Sequence, residues 1–466
     1  MKSKGAELAT LDLYNSLTFN MVSDIVIIGG GAAGLMAAFA AAEATIKGAD
    51  SAQVRTVTVL EKMPRPGRKI MITGKGRCNF ANVKEWNEFS AHIRSKANVV
   101  KAAFYNFTPE DSLAFFESFG MPTVVERGDR AFPASHHSRD VIDTLVNACN
   151  SVGVKIETNA EVASVSHREN GFEVVLSDGR KYRCSKLIIA TGGLSYPSTG
   201  STGDGYDFAK ATGHTITPLF PSLTALVPKG YKDSSASGHI DRTMPLSELG
   251  EKLCGIQLKN VGATLMIEGN EAQSEFGDID FTDGGIEGPI GFQLSRKAVK
   301  AMVNGSKVAI ILDLKPGVEP AELSARVKAL WNEVEKDPRS RNLKDKEKCR
   351  ILLGKLMPWD LIPGFTAMHP DILKKEGKKV FVNLAAIAKY LKDWHFDIDG
   401  YVGYERAVVT AGGVSTDDII PKTLESRKVP GLYFCGEVLD IDADTGGYNL
   451  HLAFATGRLA GQSAAK

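Results

Sequence analysis

The sequence has few cysteines, and they are scattered. Cys78, Cys149, Cys184, Cys254, Cys349 and Cys435 contain no C-x-x-C pair, which argues against a zinc site and a thioredoxin-type redox couple. Isolated thiols suit a reducing cytoplasm, the expected location. Excess charge of one sign is also missing: 56 Lys and Arg stand against 55 Asp and Glu. Nothing in that balance draws nucleic acid or an anionic membrane as the main partner. A leader of familiar type is lacking. The first long apolar run lies behind Glu7 and Asp12, too late for a signal peptide, and residues 1–20 are not the Arg-rich, acid-poor stretch of a transit peptide. Met21 shortly precedes the first strand, so residues 1–20 read as an extension expected to be poorly ordered. No Ser-His-Asp ordering and no metal-ligand cluster stands out, so no metal is expected.

What is present is glycine in short clusters, 46 residues of it in a chain of 466. That length predicts two or three domains. Residues 25–42 form an uncharged run near the length of a membrane span. A spanning helix would carry Gly29, Gly30, Gly31 and Gly34 near its middle, whereas a strand, tight turn and helix need glycines at those spacings. The second reading is preferred, and no membrane is expected.

Asp24-Ile25-Val26-Ile27-Ile28 predicts a strand buried on both faces. The following Gly29-Gly30-Gly31-Ala32-Ala33-Gly34 fits G-x-G-x-x-G, and residues 35–42 read as a helix of small residues. Gly29 permits the turn, Gly31 lets the backbone approach a pyrophosphate, and Gly34 lets helix and strand pack. The helix N-terminus, with Ala32 and Ala33, then faces the phosphates. The second strand, residues 57–60, ends in Glu61, placed to accept hydrogen bonds from ribose hydroxyls. Its late position is explained by a loop insertion over residues 47–55; the bland alternative is a solvated charge. Past Lys62 comes a basic, glycine-rich loop with Arg68, Lys69, Gly74, Lys75, Gly76, Arg77, Cys78 and Asn79. A flavin domain uses such a loop and a nicotinamide domain does not, so FAD is the expected cofactor. A merely solvated basic loop is the alternative.

Residues 186–193 make another buried strand ending in Ala190-Thr191-Gly192-Gly193. This is similar to the A-T-G-G segment of the glutathione-reductase-like flavoproteins. Gly436-Glu437, after a strand at 431–435, resembles the Gly-acid pair those proteins place beside FAD, with Glu in place of the commoner Asp. Val162 and Gly205 complete the candidate cofactor shell. Taken together, GRKIMITGKGRCNFAN (67–82), ATGGLSYPSTGSTGDGYDFAKATGH (190–214), FTDGGIEGPIGFQLS (281–295), TAGGV (410–414) and GLYFCGEVLDIDADTGGYNLHLAFATGRLAG (431–461) resemble a bacterial NAD(P)/FAD-dependent oxidoreductase family. That family is aminoacetone-oxidase-like and includes reductases of dehydro bile acids. Two departures are Glu287 in place of a small residue and His451 in place of an amide.

The flavin motifs fall at 22–205 and 405–466. The expected fold is therefore α/β with a discontinuous Rossmann-type FAD-binding domain, and the resemblance implies that the insert at 206–404 is β-rich and barrel-like with a small helical excursion. Strands are predicted at 261–268, 276–281 and 308–314. A helix is predicted at 320–334, within a helical excursion of about 318–375, and the charged run 335–348 reads as a helix-to-helix connection. The insert has no second strand–G-x-G-x-x-G–helix unit, so NAD(P)H is expected only as a transient co-substrate. By resemblance, Gly446, Gly447, Tyr448 and Asn449 open a helix whose N-terminus points at the flavin pyrimidine edge and stabilises the anionic reduced ring. Tyr448 and His451 are candidate proton donors, and Arg77 and Lys75 candidate charge stabilisers. The chemistry implied is hydride passed from NAD(P)H through flavin N5 to an unsaturated or carbonyl-activated small molecule. An amine-type oxidase and a redox sensor acting through a partner stay open, as does the oligomeric state.

Overall fold

The computed structural model describes residues 20–48, 55–233, 238–376 and 379–466. Of the expected extension only Asn20 is among them, opening the short strand Asn20–Val22. Most of the expected insertion at 47–55 also lies outside the described residues.

The chain divides into two compact units, Met1–Phe220 with Val409–Lys466, and Pro221–Val408. The sequence placed the first boundary at 205/206. The structure moves it because the helix Asp204–Ala211 buries Tyr206, Phe208 and Ala209 in the core of the first unit. At the other end, Arg406 stays with the second unit, where it pairs with Asp283 and Glu287.

The first unit is built on β1 (Ile25–Ile28), α1 (Ala32–Gly48), β2 (Val57–Leu60), β3 (Lys155–Glu157), β4 (Lys186–Ile189), β5 (Leu432–Phe434) and α2 (Tyr448–Ala464). The five strands form one parallel sheet in the order β5-β4-β1-β2-β3. All four side chains of β1 are buried, as a central parallel strand covered on both faces requires. The apolar run at 25–42 is thus a strand, a turn and a helix. No helix among the described residues is long and apolar enough to cross a membrane. Helices α1 and α2 pack closely. A Cβ at Gly457 or Gly461 would overlap the carbonyl oxygen of Ala33 or Ala37, respectively. An antiparallel sheet of Val162–Arg168, Gly171–Leu176 and Lys181–Cys184, edged by Asn20–Val22, adds to this unit.

The second unit is a closed barrel of six antiparallel strands. Leu226–Pro228, Gly285–Glu287, Asn270–Thr282, Gln257–Ile267, Val308–Asp313 and Trp394–Val402 follow one another, and the last pairs back onto the first. Closure leaves no free edge among these six. The buried rings of Phe281, Trp394 and Phe396 pack against one another inside this unit. The predicted helix is Pro320–Lys336, with Leu323, Val327 and Val334 buried and Leu330 half-buried. Asp345–Gly354 and Ile362–Met368 continue the helical excursion. Glu287 is buried and grips Arg406, with Nη2 of the arginine 3.1 Å from its Oε2. The family departure at 287 is therefore a neutralised charge.

Candidate cofactor site

The site forms where parallel strands end, the usual place for a nucleotide in an open α/β sheet. Gly29 follows β1 with φ +105°, and a Cβ there would lie 2.5 Å from the carbonyl oxygen of Ala190. A Cβ at Gly34 would overlap the carbonyl oxygen of Gly29. Gly31 differs from both. Its φ lies outside the left-handed range, and a Cβ added to it would meet nothing within 4 Å. The fold does not need glycine at that position, and the open space leaves the backbone accessible to an approaching group. Gly31 immediately precedes α1, whose first N–H groups have no intrahelical acceptor. An open cradle under unpaired donors and the positive end of a helix dipole fits a pyrophosphate.

Glu61 ends β2 and is buried. Burial pushes its carboxyl above the usual range, although the N–H groups of Met63 and Gly30, at 2.8 and 2.7 Å, hold the two oxygens. The segment leading to Val162 runs beside it, since Ala160 N–H donates to the Glu61 carbonyl at 2.9 Å. Lys62 pairs with Asp204 at 2.6 Å and also reaches Thr202.

Four distant segments meet around Glu437. Its Oε2 accepts from Lys69 at 2.8 Å, and its Oε1 accepts from Ser195 Oγ at 2.9 Å and Thr410 N–H at 2.8 Å. Lys69 also donates to Ser195 Oγ at 3.0 Å. Burial alone would raise the Glu437 carboxyl. The adjacent Lys69 charge and these hydrogen bonds outweigh it and hold the group below the usual carboxylate range. Gly193 needs its missing side chain because a Cβ would lie 2.5 Å from Thr410 Oγ1. Gly205 packs on the buried Thr191 hydroxyl, and Gly436, at φ +75°, on Ala33. Ser195 is fully buried in this network. Thr410 was visible only as the first letter of a motif.

The basic loop takes a left-handed path at Gly74, Lys75, Gly76 and Cys78, with φ +56°, +57°, +86° and +55°. Arg68 and Lys75 are exposed. Arg77, a candidate charge stabiliser, is engaged by its neighbours. Its guanidinium pairs with Glu126 and lies 4.5 Å above the ring of Phe132. Cys78 is fully buried and its thiol is pushed up to about 12 by that burial, while Cys435 is buried and raised for the same reason. Neither is a reactive thiolate.

At the start of α2, Gly446 and Gly447 have φ +118° and +96°. A Cβ at Gly447 would lie 2.7 Å from Asn79 Oδ1. The Asn449 side chain exchanges hydrogen bonds with Ala443 N–H and the carbonyls of Ala443 and Asp444. Tyr448 is buried, stacks on His92 at 4.4 Å, and has its phenol raised to about 12 by burial. His451, a candidate proton donor, is enclosed. It is fully buried, its Nδ1 lies 3.0 Å from Ser112 Oγ, and Phe89, Phe104 and Phe107 surround its ring. Burial lowers it from the usual 6.5 to about 3, so it is a neutral core residue near pH 7. Among the described residues no cluster of His, Cys, Asp and Glu could hold a metal.

A family model described as the HI0933-like protein Rossmann domain matches residues 23–463. The chain belongs to this HI0933-like family. HI0933-like proteins are FAD-binding oxidoreductases. One relative, the 3-dehydro-bile acid delta(4,6)-reductase of Clostridium scindens, is 31% identical over 445 residues, covering 95% of this chain and 99% of its own. Another, the ribosomal RNA dihydrouridine synthase of Escherichia coli, is 30% identical over 438 residues, covering 93% and 96%. Among solved structures, a 3-ketosteroid delta1-dehydrogenase from Sterolibacterium denitrificans aligns over 95% of this chain and 99% of its own, at 14% identity and TM-score 0.47.

Proposed function

We propose that this HI0933-like protein uses FAD and NAD(P)H to saturate a carbon–carbon double bond conjugated to a carbonyl. The observation that carries the reading is chemical agreement between two relatives of nearly equal similarity. Reduction of a delta(4,6)-unsaturated 3-dehydro bile acid and conversion of uridine to dihydrouridine are both that change. Bound FAD would supply hydride transfer at its N5 position, from NAD(P)H to a substrate carbon. Gly31 and the start of α1 would hold its pyrophosphate, Glu61 its adenosine ribose, and Lys69 with Glu437 the chain between. The N-terminus of α2 would favour negative charge on the ring. Tyr448, a phenol kept protonated by burial, is the remaining side-chain candidate for giving a proton to substrate.

We take the substrate to be a free small molecule, because a net charge of +1 supplies no general attraction to a polyanion. The E. coli relative supports a second reading, a uracil base presented within RNA. Anaerobic mixing of the yellow protein with NADH or NADPH tests the reaction class. Fast bleaching of the visible flavin band is expected. No bleaching with either nucleotide, but bleaching by amines, would replace the reductase with an oxidase. Turnover of enones against turnover of uridine-containing ribosomal RNA then separates the two substrates.

A further inference from the structure

The loop that delivers α2 is clamped from outside its own segment. Asp444, only 2% exposed, accepts Nε of Arg94 at 2.6 Å, a second bond from Nη2 of the same guanidinium, and has His92 Nδ1 at 3.0 Å. The backbones join as well. Asp444 N–H donates to the His92 carbonyl at 2.9 Å, Arg94 N–H donates to the Asp442 carbonyl at 2.8 Å, and Ile93 bridges Ala443. The His92 ring then stacks on Tyr448, the first residue of α2. On the inner side Asn449 ties Ala443 and Asp444 to the helix, and Asn82 Nδ2 donates to the Gly446 carbonyl at 3.0 Å. Between the clamp and the helix stand only Thr445, Gly446 and Gly447. The two glycines are in left-handed conformations, so this joint has little stiffness of its own. Packing of α2 on α1 and the Asn82 and Asn449 bonds hold the helix in place, and the clamp adds a directional constraint at its N-terminal end. A planar, two-pronged Arg–carboxylate pair provides such directional hold.

We infer that Asp444 is a positioning residue, which with Arg94 and His92 sets where the N–H groups at the start of α2 point and thereby tunes how strongly reduced FAD is held relative to oxidised FAD. This rests on the flavin reading above. The effect is geometric, and its sign separates it from simple charge. If Asp444 acted as a nearby negative charge, removing it would favour the reduced, anionic ring. If it acts by aiming the helix, removing it lets the donors drift and disfavours that ring.

The test is the midpoint potential of the bound flavin in the full-length holoprotein. It is measured for wild type, Asp444→Asn, Arg94→Met and Arg94→Lys, with thermal melting and FAD retention recorded alongside. All three variants are expected to move the potential to more negative values. A tenfold loss of preference for reduced FAD corresponds to about 30 mV for a two-electron couple. Arg94→Lys keeps the charge and loses only the fork, so it decides the matter even if Asp444→Asn fails to fold. Opposite shifts in Asp444→Asn and Arg94→Met, or no shift in Arg94→Lys, would overturn the proposal in favour of plain electrostatics. Lower melting temperatures with unchanged potentials would reduce the clamp to a structural brace. A wild-type protein that takes up no FAD would remove the flavin reading itself, and the inference with it.

Discussion

Replacing His451 with asparagine should remove a specific piece of the protein's acid sensitivity. The imidazole is buried in an aromatic cage with a group lowered to about 3 in the folded chain, against about 6.5 when unfolded. Below the unfolded value, the unfolded chain takes a proton that the folded chain refuses. Stability is therefore full above about 6.5 and falls with pH down to the folded value, at about 1.4 kcal/mol per pH unit. Between about pH 7.5 and about pH 4.5 the loss from this one residue is about 2.7 kcal/mol. Asparagine keeps a polar atom for Ser112, carries no titrating proton, and adds only a penalty that does not change with pH. The assay is urea unfolding of both proteins at the two pH values, followed by tryptophan emission. Trp86 contributes to that signal from the same cluster, 5.2 Å from Phe104. Wild type should be the more stable at neutral pH, and its advantage should shrink by about 2.7 kcal/mol in acid. Stability differences that stay constant across the window would refute the buried-neutral assignment, and would return His451 to the list of candidate proton donors.

Two further outcomes follow from the cofactor site. Gly31→Ala is expected to leave the melting temperature unchanged and to weaken FAD binding at least about tenfold, whereas Gly34→Ala costs about 1–3 kcal/mol of stability through overlap with Gly29. Fluorescence titration with FAD and thermal melting distinguish the pair, and equal effects on both readouts would contradict the distinction. Lys69→Met leaves the half-buried Glu437 without its cation, for an expected loss of about 1–2 kcal/mol in urea unfolding, below the value for a fully buried pair. A variant as stable as wild type would show that solvent reaches the carboxylate.

The parts of the site legible in the sequence are those made by consecutive residues. Gly29, Gly31 and Gly34 could be assigned separate tasks because strand, turn and helix follow one another without interruption, and Glu61 because it ends the next strand. Three strands of the barrel were legible as apolar runs at 261–268, 276–281 and 308–314, and its barrel-like character came only through the resemblance. Side-chain direction was not legible. Arg77 and Asn449 carry suitable chemistry at suitable positions, yet one is taken by Glu126 and the other by Ala443 and Asp444. His451 looked reactive because nothing local reveals that Phe89, Phe104 and Phe107 enclose it. The Glu437 network and the Asp444 clamp join segments hundreds of residues apart, and no spacing rule reaches that far. The boundary error at 206–220 has the same origin, since only tertiary packing shows where Tyr206 and Phe208 are buried.

The contact of Gly457 and Gly461 with the backbone of α1 also sets a timetable for synthesis. Helix α1 is translated well before its partner α2, with residues 49–447 in between. At ~5–20 residues per second, the ribosome holds the alanine-rich face of α1 and the outer edge of β4 uncovered for tens of seconds. The barrel is encoded within that interval and has all its strands before β5 emerges. The nascent chain therefore carries a finished module in the middle of an unfinished one, and the nucleotide-binding half closes only when its last strand and helix arrive.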